Sequence, residues 1–415
     1  MLNRIRFGVS FSSMLVSVFA LLFIYRLGSA RVDKGTEPGL RDLGTYLNAG
    51  SVFSAGDNPY SDPYVRVGPS LLPLFGTLDL LVSKNILAVV FQLLSLLGPL
   101  YLVYVITKVS VKNHLTIYLA IIWFSAIREN LVNIQITGLL ALFFGFGLKL
   151  LELAHSRIPR FIGLYFLALA VDTKPHIFGL LVVALLVYRR NYKYLMTVFS
   201  IIALNHSLLS ILIGEFLTLS WMATLFGLYD NKAKGNLGES LMLWPILEYF
   251  GVNPTITANV SLICFTILFS LLFYRIYNKT IAEVNVITMS LIIPTFGFFY
   301  HYYDLAIVVA IWFAQMFSEN RNRLVLISLP FLLIPSGIDQ NWNLVIVLGI
   351  YLLIRSFEVC FAKISSFETT FAIGVYVLYS LLLKFSIPLE LKQQVQVTLL
   401  ALSIMLISLF SNPKI

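Results

Sequence analysis

The sequence predicts an all-α polytopic membrane protein, a bundle of about 11–14 transmembrane helices forming one integral-membrane domain over residues 1–415. Three observations predict it. Of the residues, 59% are hydrophobic and only 12% charged, and the mean hydropathy of +0.87 is far above that of a chain folding in water. The apolar runs, such as 178–188 and 201–213, are apolar on every face, whereas an outer-membrane barrel would alternate apolar and polar residues. Two cysteines cannot staple a chain this long, so a disulfide scaffold is excluded, and low charge excludes a disordered one.

In chain order, the runs read as spans cover 7–26, 85–107, 115–127, 133–151, 160–172, 175–189, 193–213, 257–275, 283–300, 302–318, 323–335, 342–356, 366–384 and 395–411. The first has a basic start and an apolar middle, as a cleaved signal peptide does. Its apolar stretch is too long for that and it reads as a retained span. Runs of 13 residues rise only about 20 Å as helix, so 115–127, 160–172 and 323–335 read as half-membrane helices or re-entrant hairpins.

Placing Arg4 and Arg6 inside makes the alternation largely self-consistent, with most of the 29 Lys and Arg at inward ends. The net charge of +9 is then a topology signal, and no nucleic-acid partner is implied. This topology leaves two long polar excursions outside, 27–69 with its apolar tail to 83, and 214–256. Pro69 and Pro73 interrupt the tail, which reads as an interfacial or re-entrant helix.

The densest polar cluster lies in the first excursion. Asp42, Tyr46 and Gly50 share one helical face at i, i+4 and i+8, and Gly56 through Tyr60 reads as a turn. A carboxylate held near a membrane surface can act as general base for a hydroxyl. The competing reading of Asp42 is a solvated loop carboxylate, paired with Arg41 or capping a helix.

The order Asp42-x-x-x-Tyr46-x-x-Ala49, then Gly56-x-x-Pro59-Tyr60 and a Pro-rich apolar segment, resembles the first external loop of the GT-C glycosyltransferases. More narrowly it is similar to the bacterial polyprenyl-phosphate-mannose-dependent α-mannosyltransferases of glycosyltransferase family 87. Asn133 to Gly138 is placed like that family's Gly-Gln turn, Lys174-Pro175 like its Lys-Pro turn, and Pro294 to His301-Tyr302 like its Pro-containing segment ending in His. Two departures stand out: Ile134 replaces the usual Gly before Gln135, and Gly68-Pro69-Ser70 replaces a Tyr-Pro-Pro pattern.

The resemblance implies a GT-C-like bundle with catalytic external loops and inverting transfer of a sugar, mannose, from a polyprenyl-phosphate donor to a glycan or glycolipid hydroxyl. It makes Asp42 the base and the site external on a multi-pass cell-membrane protein, with the lipid bilayer as a further partner. The leaving phosphate needs cationic or hydrogen-bonding groups, for which His301, Lys174, Arg66 and Arg128 are candidates on the same face. Each has a plainer reading: an interfacial belt residue for His301, a snorkelling topology residue for Lys174, an ion pair with Glu129 for Arg128, a loop cap for Arg66. Gln135 reads as orienting a sugar hydroxyl or phosphate, or as bonding another helix. Tyr46 joins the substrate-binding candidates from its place beside Asp42, while Tyr60 and Tyr64 read as stacking on a sugar ring or anchoring at the surface.

The 214–256 excursion, with Trp221, Tyr229, Asp230 and Trp244, mixes aromatic and polar groups as a carbohydrate-binding loop would, or lies as an amphipathic loop on the membrane. Cys264 and Cys360 read as packing residues, and the five histidines show no metal spacing. A divalent metal on Asp57 and Asp62 has precedent among GT-C enzymes; the family 87 resemblance implies no metal or other cofactor. The rival class is a transporter or flippase of a lipid-linked sugar, which needs ionisable residues inside its spans. A third reading, a polysaccharide polymerase or ligase, would centre on a large late external loop.

Overall fold

The computed structural model describes residues 41–62, 65–108, 134–232, 247, 251–296, 304, 307, 308, 310 and 311. The expected spans 7–26, 115–127, 323–335, 342–356, 366–384 and 395–411, and most of 302–318, lie outside the described residues. Every described element is helical: α1 Arg41–Ser54, α2 Leu72–Leu81, α3 Lys84–Thr107, α4 Thr137–Leu153, α5 Arg157–Thr173, α6 Pro175–Tyr188, α7 Tyr192–Ile213, α8 Leu217–Lys232, α9 Pro254–Tyr277 and α10 Glu283–Ile292, with 3-10 turns at Pro59–Ser61, Pro69–Leu71 and Ile293–Phe296.

Three of these helices are long and apolar enough to cross a membrane: Lys84–Thr107, Tyr192–Ile213 and Thr255–Tyr277. Their exposed apolar residues fall in helical stripes, Ile86, Val90, Leu93 and Leu97 on α3, Leu204, Leu208 and Ile211 on α7, Ile256, Val260, Ile263 and Ile267 on α9. An apolar stripe on the outside of a helix bundle suits hydrocarbon as solvent.

Backbone chemistry explains the helix ends. The residue before a proline is denied the α region, so α5 stops at Thr173, Lys174 turns out at φ −133°, ψ 73°, and α6 restarts with Pro175 at its first position. The break between the runs ending at 172 and starting at 175 therefore falls where the sequence places it. Gly214 ends α7 at φ 76°, and the Asn253 side chain accepts from the Thr255 amide to start α9. Asp42 lies in the first turn of α1, where a carboxylate favours the helix dipole.

Glycine contacts set how the helices run. A Cβ on Gly98 of α3 would lie 1.8 Å from the Gly138 carbonyl oxygen, and one on Gly145 would meet Tyr101. With Lys108 bonded to Glu152 at 2.6 Å, these contacts make α3 and α4 parallel. A Cβ on Gly147 of α4 would lie 2.8 Å from the Gly163 carbonyl oxygen on α5, while Phe143 stacks on Phe166, so α4 and α5 are antiparallel. Close backbone approach at small residues is how helices associate where lipid removes the hydrophobic drive. A Cβ on Gly50 would lie 2.2 Å from the Gly76 amide, which joins α1 to α2 as a helical pair. Pro73 belongs to the first turn of α2 and does not interrupt it.

One end of the bundle collects basic residues and their partners. Lys108 pairs with Glu152, and Arg189 at the end of α6 pairs at 2.5 Å with Glu283 at the start of α10. The opposite end is where α4 and α6 begin and α5 and α7 finish. One expectation is corrected: 214–256 is not a loop throughout, because 217–232 forms α8, which packs on the Pro59–Ser61 turn.

Candidate functional site

At the end away from the basic residues, three stretches distant in sequence converge. The first turn of α1 brings Asp42 and Tyr46, the turn before α4 brings Gln135, and the α5–α6 break brings Lys174. The Gln135 amide nitrogen donates to the Asp42 carboxylate, and the Tyr46 hydroxyl donates to the Gln135 amide oxygen at 3.3 Å. Gln135 is fully buried, and its own carbonyl accepts from Ser95 at 3.1 Å. Pro99 lacks the N–H that would bond the Ser95 carbonyl within α3.

The turn that points Gln135 has a cost. Ile134 lies at φ 49°, in the left-handed region that a β-branched residue rarely adopts and that favours glycine. Ile134 therefore occupies a glycine conformation, at the position where the sequence departs from the Gly-Gln pattern.

Two residues on, Thr137 opens a second set of contacts. The Lys174 ammonium donates to the Thr137 hydroxyl at 2.8 Å and to Asp304 Oδ1 at 2.6 Å, while His176 Nε2 is 3.6 Å from Asp304 Oδ2. Lys174 and Asp304 are both buried. The segment 135–137 thus links a carboxylate and a buried ammonium through one helix start. The Tyr46 hydroxyl reports on both sets: burial pushes its pKa well above the ordinary value of 10.0, the carboxylates of Asp42 and Asp304 push the same way, and the Arg66 guanidinium opposes them. Tyr46 is a protonated donor at any physiological pH.

The site is recessed. Gly138 meets α3 at Leu94 and Ser95, ten residues in from Lys84, which is about 15 Å of helix.

A third cluster braces those elements. Asp172, buried on α5, accepts from the Ser70 amide at 2.9 Å and bonds His206 Nε2 at 2.5 Å, and His206 Nδ1 is 2.8 Å from the Thr218 hydroxyl. Gly68 packs so closely on Asp172 that a Cβ would come within 2.3 Å of its carbonyl oxygen, which accounts for glycine there. Trp221 of α8 lies edge-on to His206, and its indole donates to the Arg66 carbonyl at 3.4 Å. Asn58 donates to Glu215 at 2.6 Å and to Ser220 at 3.1 Å. α8 thereby clamps the 58–70 loop and holds the backbone at Arg66.

Asp42, Tyr46 and Gln135 form one hydrogen-bonded set, with Arg66 in electrostatic reach of Tyr46, and Lys174 belongs to a second set with Thr137 and Asp304 that begins two residues along the chain from Gln135. Tyr64, Arg128 and His301 lie outside the described residues. Two expectations are corrected. Tyr60 is buried and its hydroxyl donates to the Val67 carbonyl at 2.8 Å, so its ring props the loop instead of offering a face to a sugar. Trp221 is likewise packed inside, against His206, and is not a presented carbohydrate platform.

Sequence reasoning missed Asp172, His206, Thr137 and Asp304. The signal for Asp172 was available: a carboxylate closing an otherwise apolar run is expensive in a membrane and marks a partner or a function. Cys264 packs against the core. Among the described residues no group of three or more His, Cys, Asp or Glu is arranged to hold a metal ion. No protein-family model matches the chain, and no curated protein matches it.

Proposed function

We propose that this chain is an inverting glycosyltransferase of the GT-C type, similar to family 87, that moves mannose from a polyprenyl phosphate to a glycan or glycolipid hydroxyl. The observation that carries the reading is the Asp42–Gln135–Tyr46 set beside Thr137, two residues on, whose hydroxyl accepts from the Lys174 ammonium. A base for the acceptor and a cation for the leaving phosphate are the two groups such a reaction needs.

In the proposed reaction the acceptor hydroxyl oxygen attacks the anomeric carbon and gives its proton to Asp42. The bond from that carbon to the phosphate oxygen breaks, and its electron pair leaves with the polyprenyl phosphate. Attack from the face opposite the leaving group inverts the centre. Gln135 orients the carboxylate, and Lys174, Arg66 and the expected His301 and Arg128 take the developing phosphate charge. The exposed apolar stripe of α3, with Val90 and Leu93 near the Gly138 contact, supports a donor carried on a lipid chain. The ion-paired basic residues at the other end are what an external placement of this site would leave inside, within the 11–14 spans expected from the apolar runs.

The experiment is direct transfer. Membranes given labelled polyprenyl-phosphate-mannose and a glycan acceptor should transfer label, and Asp42→Asn should stop it; undiminished transfer removes Asp42 from the role of base.

One observation favours the transporter or flippase reading: Asp172, Lys174, His206 and Asp304 are ionisable and buried among helices. Proteoliposomes separate the two readings. A carrier moves the intact lipid-linked sugar between leaflets without an acceptor, and a transferase consumes it only when acceptor is present.

A further inference from the structure

Asp304 draws attention because it is a fully buried carboxylate that meets two basic side chains, one on each oxygen. Oδ1 accepts from Lys174 at 2.6 Å and from the Thr137 hydroxyl at 3.3 Å, and Oδ2 faces His176 at 3.6 Å. An ammonium taken out of water is costly unless a counter-charge and hydrogen bonds meet it. Lys174 is also the residue turned out of the helix by Pro175, so its backbone leaves the chain without the helical restraint that would aim its side chain. Thr137 and Asp304 supply that aim from α4 and from the 304–311 segment. Thr137 also lies two residues after Gln135, at the same helix start.

We infer that Asp304 is a positioning residue of the proposed donor site: with Thr137 it fixes where the Lys174 ammonium lies at the α5–α6 break, acting through Lys174 and not on substrate itself. This rests on the glycosyltransferase reading and adds to it a residue that the resemblance does not name. The electrostatic influence that both Asp304 and Asp42 exert on the Tyr46 hydroxyl agrees with the two carboxylates lying around one phenol.

The test is a double-mutant cycle on the full chain purified in detergent, with polyprenyl-phosphate-mannose as probe and both donor KM and unfolding temperature measured. Asp304→Asn is expected to raise donor KM about tenfold or more while kcat at saturating donor changes less than about threefold. In a Lys174→Met background the same substitution should leave donor KM where Lys174→Met alone puts it. The double variant, with neither buried charge, should recover unfolding temperature lost by either single change without recovering donor affinity. Thr137→Val keeps the ion pair but removes one anchor, and is expected to raise donor KM about threefold even where Asp304→Asn folds poorly.

A wild-type donor KM in both Asp304→Asn and Thr137→Val overturns the inference while leaving the glycosyltransferase standing, as does an Asp304→Asn effect undiminished in the Lys174→Met background. Wild-type protein that neither binds nor consumes the donor overturns the parent reading and this one with it.

Discussion

The side-chain amide of Gln135 donates to the carboxylate of Asp42 across 93 residues of sequence, and the same amide accepts from Tyr46. A buried amide that donates to one partner and accepts from another fixes both. It pins α1, which carries Asp42 and Tyr46, to the start of α4, and it holds the carboxylate in one orientation. Gln135→Leu keeps the volume but strands the Tyr46 hydroxyl, a loss of about 1–3 kcal/mol, and frees the carboxylate to rotate. Turnover of labelled donor by the purified variant should fall about 10- to 100-fold with donor KM little changed. Gln135→Glu should fall further, because it sets carboxylate against carboxylate.

Ile134 at φ 49° stores strain that glycine would not. Ile134→Gly removes about 1–2 kcal/mol of left-handed strain, set against the lost burial of the isoleucine side chain and the greater freedom of glycine in the unfolded chain. The site geometry is expected to survive. Donor turnover in Ile134→Gly should stay within about twofold of wild type, whereas Ile134→Pro, whose φ is locked negative, should abolish it.

The α3–α4 contact gives a paired stability prediction. A Cβ at Gly98 would collide with the Gly138 carbonyl oxygen at 1.8 Å, whereas one at Gly179 meets nothing within 4 Å. Gly98→Val should lower the unfolding temperature by an amount matching about 3 kcal/mol or more, from overpacking against backbone. Gly179→Ala in α6 should raise it by an amount matching about 0.5–1 kcal/mol, through helix propensity. Thermal unfolding of the two variants in one detergent reads both.

Tyr46 sets a pH dependence whose sign follows from linkage. Its folded pKa is raised, chiefly by burial and then by Asp42 and Asp304. Below pH 10 both folded and unfolded chains hold the proton and nothing changes. Above the unfolded value of about 10 the unfolded chain loses it first, so stability falls as pH rises toward the folded value. Tyr60 acts in the same direction through its own burial and Asp172. Tyr46→Phe should flatten the fall in unfolding temperature above pH 10 and, at neutral pH, lower that temperature by an amount matching about 1–3 kcal/mol, because the buried Gln135 amide oxygen loses the Tyr46 donor.

The apolar runs were legible because a helix in lipid must be apolar on every face it shows to lipid. The predicted 85–107 and 193–213 match α3 and α7 within a residue, and the Lys174-Pro175 break follows from a local steric rule. α8 was not legible, since Trp221 and Thr224 bury themselves against a loop more than 150 residues earlier, and nothing local reveals that partner. The same limit hid Asp304, whose meaning depends on Lys174, 130 residues away. Asp42, Gln135 and Lys174 were each candidates through the family resemblance; that the Gln135 amide bonds the carboxylate became visible only through the packed structure.

In the proposed reaction Asp42 takes the proton from an acceptor hydroxyl. Transfer of labelled mannose from polyprenyl phosphate to acceptor by purified wild type and Asp42→Asn, with donor binding measured on the same samples, tests that role. Donor binding should be unchanged and turnover should fall about 10²–10⁴-fold, the scale of a general base. Asp42→Asn protein that transfers label at the wild-type rate would contradict it.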